Sequence, residues 1–250
     1  MTIPYRRPPE GYEYALPGPL RTAQPFHTAG PFKSHFEALR YACPVLMSLP
    51  GAVAKRRTAV IQRGRFIEER SWDEATEYCA WIYQTPDGAY ELSWIGTNEI
   101  QDRSEYRRCD IPPRVLDARY NDDPKLPPDR NLTYVFAVHS HPVASLLTRH
   151  DIGYIIKQGR SLQDSFHSMG QFSIGIIAFF SRNDHDNPTC DGFFQYTLPL
   201  DELQGATKTI QKWTTHAAGK WKMEEVAIAQ HEYPPDHQDP YIKIIDLQHP

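Results

Sequence analysis

The spacing of apolar and polar positions changes character several times along the chain. From Ser34 onward Phe36, Leu39, Tyr41 and Ala42 fall at mixed helical spacing behind a residue suited to capping, which predicts a helix over 34–43 stopped by Pro44. The run Tyr78-Cys79-Ala80-Trp81-Ile82-Tyr83 is β-branched and aromatic, Pro86-Asp87-Gly88 is a turn signal, and Tyr90 to Ile95 alternates, so the three together predict a hairpin. Tyr134-Val135-Phe136-Ala137-Val138 is a continuous apolar run of strand length that ends on His139. Ile152, Tyr154, Ile155 and Ile156 then open a helix, residues 172–180 read as a buried strand, and 192–196 as another. The apolar stretch YIKIIDL near the C-terminus predicts a last strand or docked segment. Strands and helices intermix, which predicts an α/β (α+β) class with a mixed β-sheet flanked by helices.

Proline punctuates this pattern. The chain has 250 residues and 22 prolines, above the average of about 5%. Seven of them lie in the first 31 residues, where φ is repeatedly locked, so residues 1–30 are expected to form an extended arm; its aromatics suit lying against the body or a partner. A second Pro-rich stretch, 102–131, is long for a connection within a domain, and such connections often cover a site. The expected organisation is one main domain over 31–225, preceded by the arm and followed by a Pro/His-rich tail over 226–250.

Charge and cysteine content narrow the partners. With 27 Lys+Arg against 31 Asp+Glu the net charge is −4, which offers no general attraction to a phosphate backbone, and the basic run Lys55-Arg56-Arg57 reads as a solvated face. No nucleic-acid partner is expected. No apolar run approaches the roughly 18 residues of a membrane span, and MTIPYRRPPEGYEY lacks an apolar signal region. The expectation is no membrane partner, and a cytoplasmic location or delivery by a signal-peptide-independent secretion system. Cys43, Cys79, Cys109 and Cys190 are scattered without a CxxC pair, which points to buried or free thiols rather than a disulfide framework or a thiolate zinc site.

Candidate chemistry sits where the apolar strand ends. Residues i and i+2 of a strand share a face, so His139 and His141 of His139-Ser140-His141-Pro142 can present two imidazoles together. Asp151 follows ten residues later at the head of the predicted helix, and the competing ligand there is His150. Two His and one Asp leave the fourth tetrahedral position of Zn²⁺ open, as in a catalytic site. Such chemistry also needs a carboxylate to take a proton from water and pass it to a leaving amine. No GxSxG, GxGxxG or Walker sequence occurs, which removes serine-hydrolase, dinucleotide and P-loop readings. His185, in an Asn/Asp-rich loop, lacks EF-hand spacing, and His231 and His237 in HEYPPDH read as part of a flexible tail.

These residues resemble the JAMM (JAB/MPN+) metalloprotease family, whose pattern is a glutamate on an early strand, His-Ser/Thr-His-Pro, then a serine shortly before an Asp on the next helix. His139-Ser140-His141-Pro142 and Asp151 match; Thr148 stands for the serine, with one residue fewer before it than is usual. Glu77 matches the glutamate best, opening Glu77-Tyr78-Cys79-Ala80 where the family has glycine at the place of Ala80, and Glu68, Glu69, Glu74, Glu91 and Glu99 compete. The segment Phe26-His27-Thr28-Ala29 with its helix and hairpin also looks like the JAB-like domains of bacterial polymorphic toxins. The resemblance implies an MPN/JAB-like fold, Zn²⁺ on His139, His141 and Asp151, and Glu77 as general acid/base. It further implies Thr148 as an oxyanion-steadying hydroxyl, with helix capping as its alternative role. The implied activity is hydrolysis of a peptide or isopeptide bond in a protein or peptide substrate, ubiquitin-like proteins included. An inactive MPN scaffold or a JAB-type toxin or effector are the other readings.

Overall fold

The computed structural model describes residues 29–56, 60–62, 65–67, 70–71, 75–97, 109, 111, 115, 132–161, 173–183, 185–199, 205–215, 221–232 and 239–247. The described residues open with strand β1 (Ala29–Phe32) and helix α1 (His35–Met47). The short strands β2 (Lys55–Arg56), β3 (Val60–Gln62), β4 (Arg65–Ile67) and β5 (Arg70–Ser71) follow, pairing as β2 with β5 and β3 with β4. Next come β6 (Tyr78–Gln84), β7 (Tyr90–Leu92), β8 (Gly96–Thr97), β9 (Thr133–His141), helix α2 (Arg149–Ser161) and β10 (Ser173–Phe180). The chain then runs through β11 (Gly192–Pro199), β12 (Gly205–Thr215), β13 (Trp221–Glu232) and β14 (Tyr241–Asp246). Ten strands form the main sheet in the order β1-β7-β6-β9-β10-β11-β12-β13-β14, with β8 alongside β6.

One pairing in that sheet is parallel, β9 with β10, and α2 is its crossover; the others are antiparallel. Alternation along the central strands gives the sheet two apolar faces. Ala80, Ile82, Phe136, Val138, Ile177 and Phe179 pack with α1 through Leu39, Ala42 and Leu46, whereas Trp81, Ala137, Ile176 and Ala178 pack with Ile152, Ile155 and Ile156 of α2. The hairpin from β6 to β7 turns through Pro86-Asp87-Gly88, where Gly88 takes φ of 84° and its N–H donates to the Thr85 carbonyl at 2.8 Å. No helix among the described residues is long and apolar enough to cross a membrane.

The helix-flanked α/β MPN/JAB-like architecture expected from the sequence is corrected by this arrangement. Among the described residues there are two helices of 13 residues each, against a ten-stranded sheet. The sheet extends well past the helices because 205–215 and 221–232, which carry no long apolar run, form the long antiparallel pair β12 and β13. Its inward positions include Ile210, Ala227 and Ala229, small or isolated enough to leave only a weak pattern. β13 crosses from the expected main domain into the expected tail, and β14 pairs with it at the sheet edge. His231, read from the sequence as part of a flexible tail, is buried in β13.

Two local expectations also change. Ser34 caps α1 as expected, accepting the Glu37 N–H at 3.3 Å, but the helix runs through Pro44 to Met47. A proline inside a helix costs about 3 kcal/mol; full burial of Leu46 and Met47 contributes about 1.5–3 kcal/mol each and offsets it. The cysteines, expected as thiols, are paired: Cys43 with Cys190 and Cys79 with Cys109, at Cα–Cα separations of 5.7 and 5.8 Å. The partners lie 147 and 30 residues apart, so no local spacing announces them. By loop-closure entropy the two crosslinks contribute roughly 5 and 3.5 kcal/mol. The arm to residue 28 and most of 102–131 lie outside the described residues; within the latter, Cys109, Ile111 and Val115 are placed.

Candidate metal centre

β9 carries both histidines. It does not end at His139 but continues to His141, so the two side chains follow Ala137 on the α2 face of the sheet. His139 lies beside Cys79 of β6 and Ala178 of β10, and His141 beside Phe180. Their rings stand 4.7 Å apart at 70° to one another, and both residues are buried.

Asp151 comes from the first turn of α2, held there by the buried isoleucines that follow it. Thr148 sits just before the helix. Its backbone N–H and its hydroxyl donate to Asp151 Oδ2 at 2.6 and 2.8 Å, and the Asp151 N–H donates back to Thr148 Oγ1 at 3.4 Å. This is a capping box in which the acidic residue also faces the histidines. Asp151 Oδ1 lies 3.3 Å from His139 Nε2, and Oδ2 lies 3.7 Å from His141 Nε2.

The three residues form a group that can hold a metal ion, with one ligand atom from each within 4.8 Å of the others. Bonds of about 2.0–2.1 Å to a tetrahedral ion put ligand atoms about 3.3 Å apart, which the His–Asp separations approach. His139 supports the fit as well, since its buried ring nitrogens form no hydrogen bond of good geometry and its near polar neighbours are the Asp151 carboxylate, 3.3 Å from Nε2, and the Ile177 backbone. An unsatisfied buried polar atom costs about 1–3 kcal/mol, a cost that coordination through Nε2 removes. For His141 to ligate through Nε2, Nδ1 must carry the proton, and it is placed to donate it to the Ser145 carbonyl at 3.0 Å. The donor set, two imidazoles and one carboxylate, leaves a fourth position for water or substrate.

Electrostatics agree with a cation site. Burial pushes the His139 pKa down, only partly countered by Asp151. Burial also acts downward on His141, but the hydrogen bond and charge of Asp151, helped by the Glu77 charge, outweigh it and the pKa ends above the usual value. For Asp151 burial acts upward, and the two imidazoles overcome it, holding the carboxyl well below its ordinary range. Tyr154, on the next turn of α2, has its hydroxyl pushed strongly up by burial and is no base at neutral pH.

The group opens on a cleft of about 710 Å³ lined by Glu77, Cys109, Ile111, Tyr154, Tyr241 and Ile242 among others. Glu77 lies immediately before β6, partly buried, on the same cleft and near enough for its charge to act on His141. Of the competing glutamates, Glu91 is buried elsewhere and accepts the Tyr83 hydroxyl at 2.9 Å, while Glu68, Glu69, Glu74 and Glu99 lie outside the described residues. His150 lines the cleft but is not in the ligand group. Thr148 is brought to the centre in its capping role, with its one hydroxyl proton directed at Asp151.

Sequence reasoning missed Ser145 and the Cys79–Cys109 bridge. Ser145 meets His141 Nδ1 with its carbonyl at 3.0 Å and its hydroxyl at 3.3 Å, and the shorter of these contacts is one that no residue identity signals. The bridge fastens a cleft-lining residue to the strand beside His139, and the only hint was a cysteine two positions after Glu77. Compared with known proteins, the chain matches no family model, no curated protein and no solved structure.

Proposed function

We propose that the chain is a zinc-dependent metallopeptidase or isopeptidase of the JAMM type, hydrolysing a peptide or isopeptide bond in a protein or peptide substrate, ubiquitin-like proteins included. The observation that carries the reading is the His139, His141 and Asp151 group with Glu77 on the same cleft. Zinc, when bound there, supplies Lewis acidity toward water and a carbonyl oxygen. Glu77 takes a proton from the attacking water as the new C–O bond forms, then delivers it to the nitrogen as the C–N bond breaks. Ser145 fixes the His141 tautomer and Thr148 fixes the Asp151 carboxylate. The cleft lining mixes apolar Ile111 and Ile242 with Arg149, Lys157 and Asp239, a combination that offers a polypeptide segment both apolar and charged contacts.

A second reading, a binding module with the same site and no turnover, is favoured by one observation: Thr148 directs its hydroxyl proton to Asp151 and so has none for an oxyanion. Two measurements decide between them. Metal analysis of untagged protein is expected to find near one equivalent of zinc, lost in His139→Ala; no zinc in the parent chain rejects both readings. A panel of peptide and lysine-linked isopeptide substrates is expected to show zinc-dependent cleavage that Glu77→Gln lowers by about 10²–10⁴-fold. Zinc bound with no cleavage across the panel leaves the binding module.

A further inference from the structure

The β6–β9 ladder stops at the pair Cys79–His139, two residues short of Glu77, which lines the cleft. At that point two side chains take over from the ladder. Ser140 Oγ accepts the Tyr78 N–H at 2.9 Å from the β9 side, and Thr97 Oγ1 donates to the Glu77 carbonyl at 2.9 Å from the β8 side. The Glu77 carbonyl and the Tyr78 N–H belong to one planar peptide unit, so both of its polar groups are held at once. Ser140 is fully buried, and its neighbours in sequence are the two histidine ligands.

From this geometry we infer that Ser140 and Thr97 are positioning residues: their hydroxyls hold the Glu77–Tyr78 peptide from opposite sides and so aim the Glu77 carboxylate at the metal centre. The inference rests on the reading of Glu77 as the acid/base. It gives the residue between the two histidines a task that neither metal binding nor apolar packing requires. A shift of this peptide would displace Glu77 without moving a ligand, because His139, His141 and Asp151 are held by β9 and α2. Misplacement of a catalytic group by about 1 Å can cost about a hundredfold in rate.

The test compares Ser140→Ala, Thr97→Val and Thr97→Ser with Glu77→Gln in the full chain, using zinc alone for binding and the cleaved peptide or isopeptide for turnover. Ser140→Ala and Thr97→Val are each expected to lower kcat about tenfold, with KM and zinc affinity within about twofold of the parent. Thr97→Ser, which keeps the donor, is expected to recover most of the loss. In the metal-free protein the Tyr78 amide is expected to exchange slowly with solvent and to lose at least about tenfold of that protection in Ser140→Ala. If the buried Ser140→Ala does not fold, Thr97→Val and the exchange rate of the parent Tyr78 amide carry the test. Unchanged kcat in folded, zinc-binding Thr97→Val alongside an inactive Glu77→Gln overturns the inference and leaves the acid/base reading standing, as does a fast-exchanging Tyr78 amide in the parent. A parent chain that does not turn over, or Glu77→Gln with parental kcat, overturns the acid/base reading and the inference with it.

Discussion

The two faces of β9 put neighbouring residues to opposite uses. Phe136 and Val138 point toward α1 into a layer of apolar side chains, and Cys43 of that helix is crosslinked to Cys190 ahead of β11. Ala137, His139 and His141 point toward α2, where the layer begins as packed isoleucine and alanine and ends as a buried polar group beside a cleft. Strand alternation lets one segment serve both purposes without compromise. A dry face sets stability, and a face that keeps poorly bonded buried imidazole nitrogens in the metal-free state gives up some stability to bind a cation.

The sharpest break of this comparison is a pair of substitutions. Phe179→Ala on the α1 face is expected to cost about 3–5 kcal/mol by denaturant unfolding, while zinc affinity of the folded fraction stays unchanged. His139→Ala on the other face is expected to abolish zinc binding by calorimetry and to leave metal-free stability within about 1 kcal/mol of the parent, because relief of poorly bonded buried nitrogens offsets the lost contact with Asp151. Large destabilisation by His139→Ala would make that imidazole a core element instead.

The α1 face should also depend on its crosslink. Replacing Cys43 and Cys190 together by Ala is expected to lower stability by about 2–5 kcal/mol with zinc stoichiometry intact, and alkylation of the unreduced, denatured chain is expected to label none of the four cysteines. Next in size is Thr148→Val, which removes the hydroxyl from Asp151 and from the helix cap. Zinc affinity is expected to fall about 10–100-fold and stability by about 1 kcal/mol, both measurable by titration and thermal melting.

The smallest effect is one of pH, and its sign differs between the two states of the polar face. In the metal-free protein Asp151 is depressed, so its contribution to stability is present above the unfolded carboxyl pKa of about 3.9 and is lost as pH falls through the lower folded value. His141 is raised, so its contribution is present below the unfolded imidazole pKa of about 6.5 and is lost as pH rises through the higher folded value. The pair therefore stabilises the metal-free chain most between those two unfolded values, while His139, whose folded pKa is lowered by burial, acts against it as pH falls below about 6.5. Zinc needs His141 unprotonated, so the gain in melting temperature on adding zinc is expected to grow as pH rises through the His141 transition. Melting curves across pH with and without zinc check the crossing of the two trends.

Legibility followed the range of the interactions. The β6–β7 hairpin, β9, the start of α2 and β10 were readable because continuous or periodic apolar runs encode them locally. β12 and β13 were not, since a strand with one face near water and small inward residues carries little signal until its partner is beside it. Pro44 misled for a related reason: its local cost is real, and the burial of Leu46 and Met47 that outweighs it depends on a sheet formed later in the chain. Fold class failed with these elements, since without β12 and β13 the helices looked like a larger share of the molecule.

At the candidate site the same division holds. Residue types and the i, i+2 spacing of His139 and His141 were enough to nominate a metal pair, and the Thr148-to-Asp151 spacing was enough to nominate a capped helix bearing a carboxylate. These are short-range geometries, dictated by strand pleat and helix pitch wherever the segments lie. That Asp151 comes within 3.3 Å of His139 and that Ser140 and Thr97 grip the peptide of Glu77 depend on strands and turns meeting across the fold. Tertiary packing alone decides such contacts, because each places a hydrogen bond between atoms whose separation along the chain says nothing about their separation in space.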